Sequence, residues 1–262
     1  RHSFSVDGGR ATSAAMSRQD ALLIKEMNMN AVVSRREICK KLSFASEKVF
    51  PQFSVLDPTF TFTLPARQTR NGVIDAFVHV MEQYLTRPAN AEIQDRFSES
   101  IAQTLIKEGP IALKKPEDYD CRANIMFAAT MALNHLICCG VPQDWSSHLI
   151  GHEITALYGL DHAETLAIVM PKVLEYKKAQ KLDKLVQLGK RGFGINEKSK
   201  SKAADATILA MKKFFVKMGA GVELKSYKLP ADAPEAIGKK NYDRLSENAD
   251  TTPEDVVKIM KL

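Results

Sequence analysis

Residues 66–87 read ARQTRNGVIDAFVHVMEQYLTR. Within them Val73, Ile74, Phe77, Val78, Met81 and Leu85 recur at spacings of three and four, so a helix gathers them on one broad apolar stripe. Pro88 lacks an N–H and is expected to stop that helix. Downstream, helical periodicities continue over about 91–108, 120–138, 145–158, 163–178, 181–190 and 202–218, with a short one after Pro253. Residues 65–262 therefore read as an all-helical domain, and the chain as mainly α. Upstream the pattern is shorter and broken. FSVLDPTFTFTLP (Phe53 to Pro65) alternates like a single strand ending at Asp57-Pro58, and strand content beyond it is expected to be minimal.

The chain has 262 residues, 45% of them hydrophobic and 26% charged, enough for one large domain or two small ones with a buried core. The four cysteines, Cys39, Cys121, Cys138 and Cys139, form no C-x-x-C pair, which suits free thiols in a reducing, cytoplasmic setting. The longest apolar run, Met126 to Val141, is interrupted by Thr130, Asn134 and His135 and falls short of the ~20 residues a span requires. No membrane span or secretory leader is expected. The net charge of +6 is unevenly spread: Lys172 to Lys217 hold thirteen basic against four acidic residues, and the remainder is slightly acidic. Such a lysine-rich, aromatic-poor block is expected to solvate a helix face, and no nucleic-acid partner is expected.

The chemistry gathers around histidine. Of six histidines, four lie in two segments. In NGVIDAFVHVMEQY, Asp75 and His79 are four apart and share a helix face. In DWSSHLIGHEITALYGLDHAET, His148 and His152 repeat that spacing, and His162 follows a Tyr158–Asp161 turn that can fold it back. An unpaired carboxylate within an apolar stripe is costly, and facing imidazoles need a reason to be desolvated. One carboxylate with several imidazoles suits Zn²⁺ or Fe²⁺. His135 has no partner at ligand spacing and reads as structural, and His2 carries no signal. Other templates fail: His152-Glu153 begins H-E-x-x-H, but Ala156 stands where the second histidine belongs. There is no G-x-S-x-G elbow, and GKRGFG (Gly189 to Gly194) lacks a preceding strand and a Lys-Ser/Thr pair.

At FSVLDPTFTFTLPARQTRNGVIDAFVHVMEQYLT and GVPQDWSSHLIGHEITALYGLDHAETLAIVMP the chain resembles the iron-containing (group III) alcohol dehydrogenases, most closely the butanol dehydrogenase and NADPH-dependent aldehyde reductase branch. The likeness runs from about Ala31 to Asn248, with Arg70 standing where the family usually has a small apolar residue. The resemblance implies Asp75, His79, His148 and His162 as ligands of Fe²⁺ or Zn²⁺. It implies His152 as a non-ligand near the reacting carbon that assists proton transfer. The implied activity interconverts small-molecule primary alcohols and aldehydes by hydride transfer to or from NAD or NADP. The implied fold places an α/β, Rossmann-like nucleotide-binding portion (residues 1–64 here) ahead of the helical metal-binding domain (65–262), with the site between them. Homologues commonly pair into homodimers.

Against that pattern the N-terminal portion is short, reading as a truncated or internally deleted homologue or as a piece of a longer chain. VDGGRATSAAM resembles the remnant of a G-G-G-S phosphate turn, with Gly8 and Gly9 as its glycines and Arg10 in place of the third. The family's cofactor-contacting lysine falls on Lys41, and its T-G-S-E segment has no match. Two functions follow. One is an NAD(P)- and metal-dependent alcohol dehydrogenase or aldehyde reductase; the alternative is a catalytically impaired metal-binding helical module with a structural or partner-binding role.

Overall fold

The computed structural model describes residues 6–7, 10–11, 27–35, 40–240, 242 and 245–262, with 6–7, 10–11, 31–35 and 40–44 described by backbone alone. Helix α1 (Ala66–Tyr84) forms where the apolar stripe calls for it. Val73, Ile74, Ala76, Phe77, Val78, Val80 and Met81 are each 0% exposed, so the helix is covered on nearly every side. A helix enclosed in this way is the centre of its domain. It packs against α2 (Glu92–Lys114), α3 (Tyr119–Leu133) and α5 (His162–Tyr176). The Phe77 ring meets Phe214 at 5.1 Å and Phe215 at 5.8 Å, both from α7 (Lys200–Lys217), and α6 (Leu182–Gly192) packs on α7.

A second apolar cluster joins α4 (Ser146–Tyr158) to α8 (Ala233–Gly238) and α9 (Pro253–Lys261). Helix α5 belongs to both clusters, giving Leu166, Met170 and Leu174 to the first and Ile168, Val169 and Val173 to the second. The body of the helix is thereby held from two sides. Caps follow side-chain chemistry: Asp118 accepts from the Cys121 N–H, Ser199 from that of Lys202, and Thr252 with Asp255 forms a reciprocal box opening α9.

The four strands among the described residues, β1 (Val6–Asp7), β2 (Arg10–Ala11), β3 (Asn30–Arg35) and β4 (Lys40–Ala45), all precede residue 46. They pair antiparallel, β1 with β2 and β3 with β4, in a register that sets Asn30 opposite Ala45 and Arg35 opposite Lys40. β4 also runs beside α4. Residues 12–26 lie outside the described residues.

Several expectations are corrected. Phe53 to Pro65 is not a strand. The Asp57 carboxylate accepts both the Thr59 N–H and its hydroxyl, and Pro58–Thr61 winds into a 3₁₀ turn, leaving Phe53 and Phe60 exposed. Helix α1 ends at Tyr84 rather than Arg87, and α3 at Leu133 rather than near 138. After α3, Asn134 Oδ1 accepts the Leu136 N–H and His135 turns to φ +70°. Helix α2 runs on through Pro110 to Lys114, because burial of its neighbours outweighs the one backbone bond that Pro110 removes. Helix α8, opened by Pro234, was not anticipated.

The lysine-rich block is not simply a solvated face. Lys172, Lys177, Lys181 and Lys184 are buried and ion-paired with Glu223, Asp250, Asp144 with Glu247, and Asp95 respectively. The acids come from distant stretches of chain, which a local charge sum does not register.

Candidate metal centre

Helix α1 presents Asp75, His79 and Glu82 along one face, spaced i, i+4, i+7. Helix α4 brings His148 to this face, and α5 brings His162 as its first residue. The two helices approach closely because Gly151 has no side chain; a Cβ there would come within 2.7 Å of Thr165 Oγ1. The reversal between them is set by Gly159, which ends α4 in the left-handed conformation at φ +73°.

Asp75 Oδ1 is the point of convergence. It lies 3.2 Å from His79 Nδ1 and 3.6 Å from Nε2 of both His148 and His162. Asp75, His79 and His148 each offer a ligand atom, all within 4.8 Å of one another. Tetrahedral corners around an ion with ~2.1 Å bonds stand ~3.4 Å apart, so these separations are of ligand-set size. The ring centroids of His79 and His148 are 4.2 Å apart, and those of His148 and His162 are 5.1 Å apart. His79 Nδ1 also sits 2.9 Å from the Asp75 carbonyl, so a proton there leaves Nε2 open.

Two atoms test whether an ion fits. Asp75 Oδ1 and His148 Nε2 are buried and neither completes a hydrogen bond. A buried carboxylate oxygen and imidazole nitrogen that face one another and complete no hydrogen bond are costly unless a cation joins them. The donor set, one carboxylate oxygen with imidazole nitrogens, suits Zn²⁺ or Fe²⁺. Burial opposes charge on Asp75, yet the imidazoles of His79, His148 and His162 hold its carboxyl well below the ordinary range. Burial likewise opposes charge on His148, but Glu82 and Asp75 outweigh it and push its pKa up to about 9.

Glu82 was missed from the sequence. Its buried carboxylate accepts from His148 Nδ1 and, at 2.5 Å, from the Ser147 N–H. That contact fixes the tautomer that turns His148 Nε2 toward Asp75. The signal was the i+7 extension of the Asp75–His79 pair on the same helix face. Trp145 closes the site on one flank, its ring 5.6 Å from His79 and 5.3 Å from His148, edge-on to both.

Among the other candidates, His152 stands beside the cluster: its ring is 4.9 Å from His162 and 6.3 Å from His148. His135 lies away from it, on the loop after α3, with Nδ1 3.8 Å from Cys138 Sγ. Gly8 and Gly9 lie outside the described residues, as does His2, and Lys41 is described only by its backbone, opposite Ser34.

A helical domain centred on such a cluster is the setting of a metal-dependent protein, and comparison with known proteins says which kind. The model of the Fe-containing alcohol dehydrogenase family, C-terminal, matches residues 69–262. The chain belongs to the iron-containing alcohol dehydrogenase family. It is 51% identical over 231 residues to the NADPH-dependent aldehyde reductase YqhD of Escherichia coli, covering 87% of this chain and 60% of that protein. It is 39% identical over 193 residues to NADH-dependent butanol dehydrogenase B of Clostridium acetobutylicum, covering 73% of this chain and 50% of the relative. The crystal structure of Escherichia coli YqhD superimposes with a TM-score of 0.90 at 48% identity, covering 93% of this chain and 63% of that one. That of NADH-dependent butanol dehydrogenase A from Thermotoga maritima gives 0.87 at 30% identity, covering 93% and 64%. The chain thus spans between half and two thirds of the length of these relatives.

Proposed function

We propose that this chain carries the metal centre of an oxidoreductase that interconverts primary alcohols and aldehydes by hydride exchange with NADP or NAD. The observation that carries the reading is the convergence of His79, His148 and His162 on Asp75 Oδ1, with Asp75 Oδ1 and His148 Nε2 buried and without hydrogen bonds. The names of the relatives, an NADPH-dependent aldehyde reductase and NADH-dependent butanol dehydrogenases, support the substrate class and the cofactor.

In this reading Asp75, His79, His148 and His162 hold Fe²⁺ or Zn²⁺, which when bound supplies Lewis acidity to an alcohol or carbonyl oxygen. Asp75 brings the only ligand charge, and neutral imidazoles leave the site net positive, which favours a developing alkoxide. Glu82 keeps His148 in the tautomer that faces the cluster. Trp145 covers the rings of His79 and His148 and keeps water from that side. His152, half-buried beside His162, takes the proton released by the alcohol or returns it to the product oxygen. Residues 65–262 form the metal-binding domain in this reading. Residues 1–64 belong to the nucleotide-binding portion, with Gly8, Gly9 and Lys41 on the cofactor.

Fluorescence titration with NADPH and NADH, alongside metal analysis, tests the proposal. Saturable nicotinamide binding with one metal per chain is expected. Stoichiometric metal with no detectable nucleotide binding would instead support a metal-binding helical module.

A further inference from the structure

Helix α1 carries a second set of polar contacts, upstream of Asp75 and directed at the first turn of α5. Arg70 Nη2 donates to Glu164 Oε1 at 2.7 Å, while Nη1 donates to the Gly219 carbonyl at 3.0 Å, just beyond α7. Asn71 Nδ2 donates to Asp161 Oδ2 at 2.8 Å, and Arg67 Nη1 lies 3.2 Å from the same oxygen. Asp161 occupies the N-cap position of α5, where an aspartate ordinarily accepts an N–H of its own helix. Here its side chain makes no such bond. The Asp161 side chain therefore fastens the first turn of α5 to α1 instead of capping its own helix.

His162 lies inside that turn, between Asp161 and Glu164. It is the most exposed of the three imidazoles around Asp75, with a side chain 25% exposed against 10% for His79 and 8% for His148. His148 is held by Glu82 and His79 by the Asp75 carbonyl. His162, as the first residue of α5, moves with its helix end. The Arg70–Glu164 pair, with side chains only 15% and 16% exposed, is the most enclosed of the contacts fixing that end. Its guanidinium fork joins α1, α5 and the Gly219 carbonyl beyond α7 at once, a geometry that a lysine ammonium cannot reproduce.

We propose that Arg70 is a positioning residue that, through Glu164, holds His162 in place against Asp75. The inference rests on the metal reading of the cluster.

The test uses the full 262-residue chain stripped of metal, with Zn²⁺ affinity read by competition against a chromophoric chelator and ligand geometry by the Co²⁺ visible spectrum. Arg70→Met and Glu164→Gln are each expected to weaken Zn²⁺ binding about tenfold, the lower end for partners that orient a ligand, and to move the Co²⁺ spectrum toward that of His162→Ala. Arg70→Lys, keeping the charge without the fork, is expected to fall between. In a His162→Ala background, Arg70→Met should weaken binding no further. Unchanged affinity in Arg70→Met and Glu164→Gln overturns the inference. So does equal weakening with or without His162, since that marks general loosening. Should Arg70→Met lose its helical circular dichroism, the isosteric Glu164→Gln decides alone. An unsubstituted chain that binds no Zn²⁺ removes the metal reading and this inference with it, whereas tight binding indifferent to Arg70 removes the inference only.

Discussion

Residues 45–65 and helix α1 are neighbours in the chain and similar in apolar content, yet the structure treats them oppositely. In the first, Val49, Phe53, Val55 and Phe60 are between 45% and 81% exposed. In the second, the whole run from Val73 to Met81 is buried apart from Asp75, which is partly exposed. Apolar side chains alone do not make a core. Those of α1 recur at a period that one surface after another of α2, α3, α5 and α7 can cover. Those of the preceding segment lie along a turn whose alternation meets no paired strand among the described residues. The Asp75 histidine cluster sits on the enclosed side of this contrast, where low dielectric strengthens every contact it makes.

The largest expected effect is on the cluster itself. Asp75→Ala and His148→Ala should each abolish stoichiometric metal while leaving the helical circular dichroism in place, since neither side chain belongs to the apolar core. Metal content unchanged in both variants would sink the site assignment. Next comes the contrast in packing. Phe77→Ala, which empties a fully buried ring position against Phe214 and Phe215, should cost about 3–5 kcal/mol in urea denaturation. Phe53→Ala, at a 64% exposed position, should stay within about 0.5 kcal/mol. Comparable losses would show that the 45–65 segment is covered in solution.

The same contrast separates the lysines. Lys181 Nζ is buried among Asp144, Glu247 and the Leu85 carbonyl, and Asp144 in turn caps Ser146 at the start of α4. Lys181→Met leaves two buried carboxylates without their cation and should cost about 3–5 kcal/mol. Lys200→Met, removing a pair whose side chains are 66% and 68% exposed, should cost less than about 1 kcal/mol. Equal effects would restore the simpler picture of a solvated basic face.

What could be read from the sequence follows the same division. The helices and the Asp75–His79 and His148–His152 spacings were legible because helical period is a local property. The i, i+4 rule states which side chains share a face. Their meeting with His162 required the turn at Gly159 and the close approach at Gly151, which spacing permits but does not dictate. Glu82 and the acids opposite Lys181 were hidden because their partners lie far away in sequence, and a count of charges has no distances in it. Phe53 to Pro65 misled because alternation reports a two-faced strand only where another strand is there to pair. At Asp57-Pro58 the side-chain bonds to Thr59 formed a turn instead.

The smallest effect concerns the acid limb of stability, and it tests whether the helical region's edges share the enclosure of its centre. The Ser246 hydroxyl, together with Lys177 and Gln180, holds the Asp250 carboxyl down to about 2, against 3.8 for an unperturbed aspartate. The unfolded chain therefore takes up this proton at higher pH than the folded one. The stabilisation is fully present above about pH 4 and is lost as pH falls through about 2. Asp250→Asn should lower stability near neutral pH. Its deficit relative to the parent chain should then shrink across that acid window. The change should be modest, because Asp250 is exposed and water screens its contacts. A deficit constant from pH 5 to pH 2 would mean that Asp250 contributes through shape alone, and that its ion pair with Lys177 is no part of what fastens the C-terminal turn to α5.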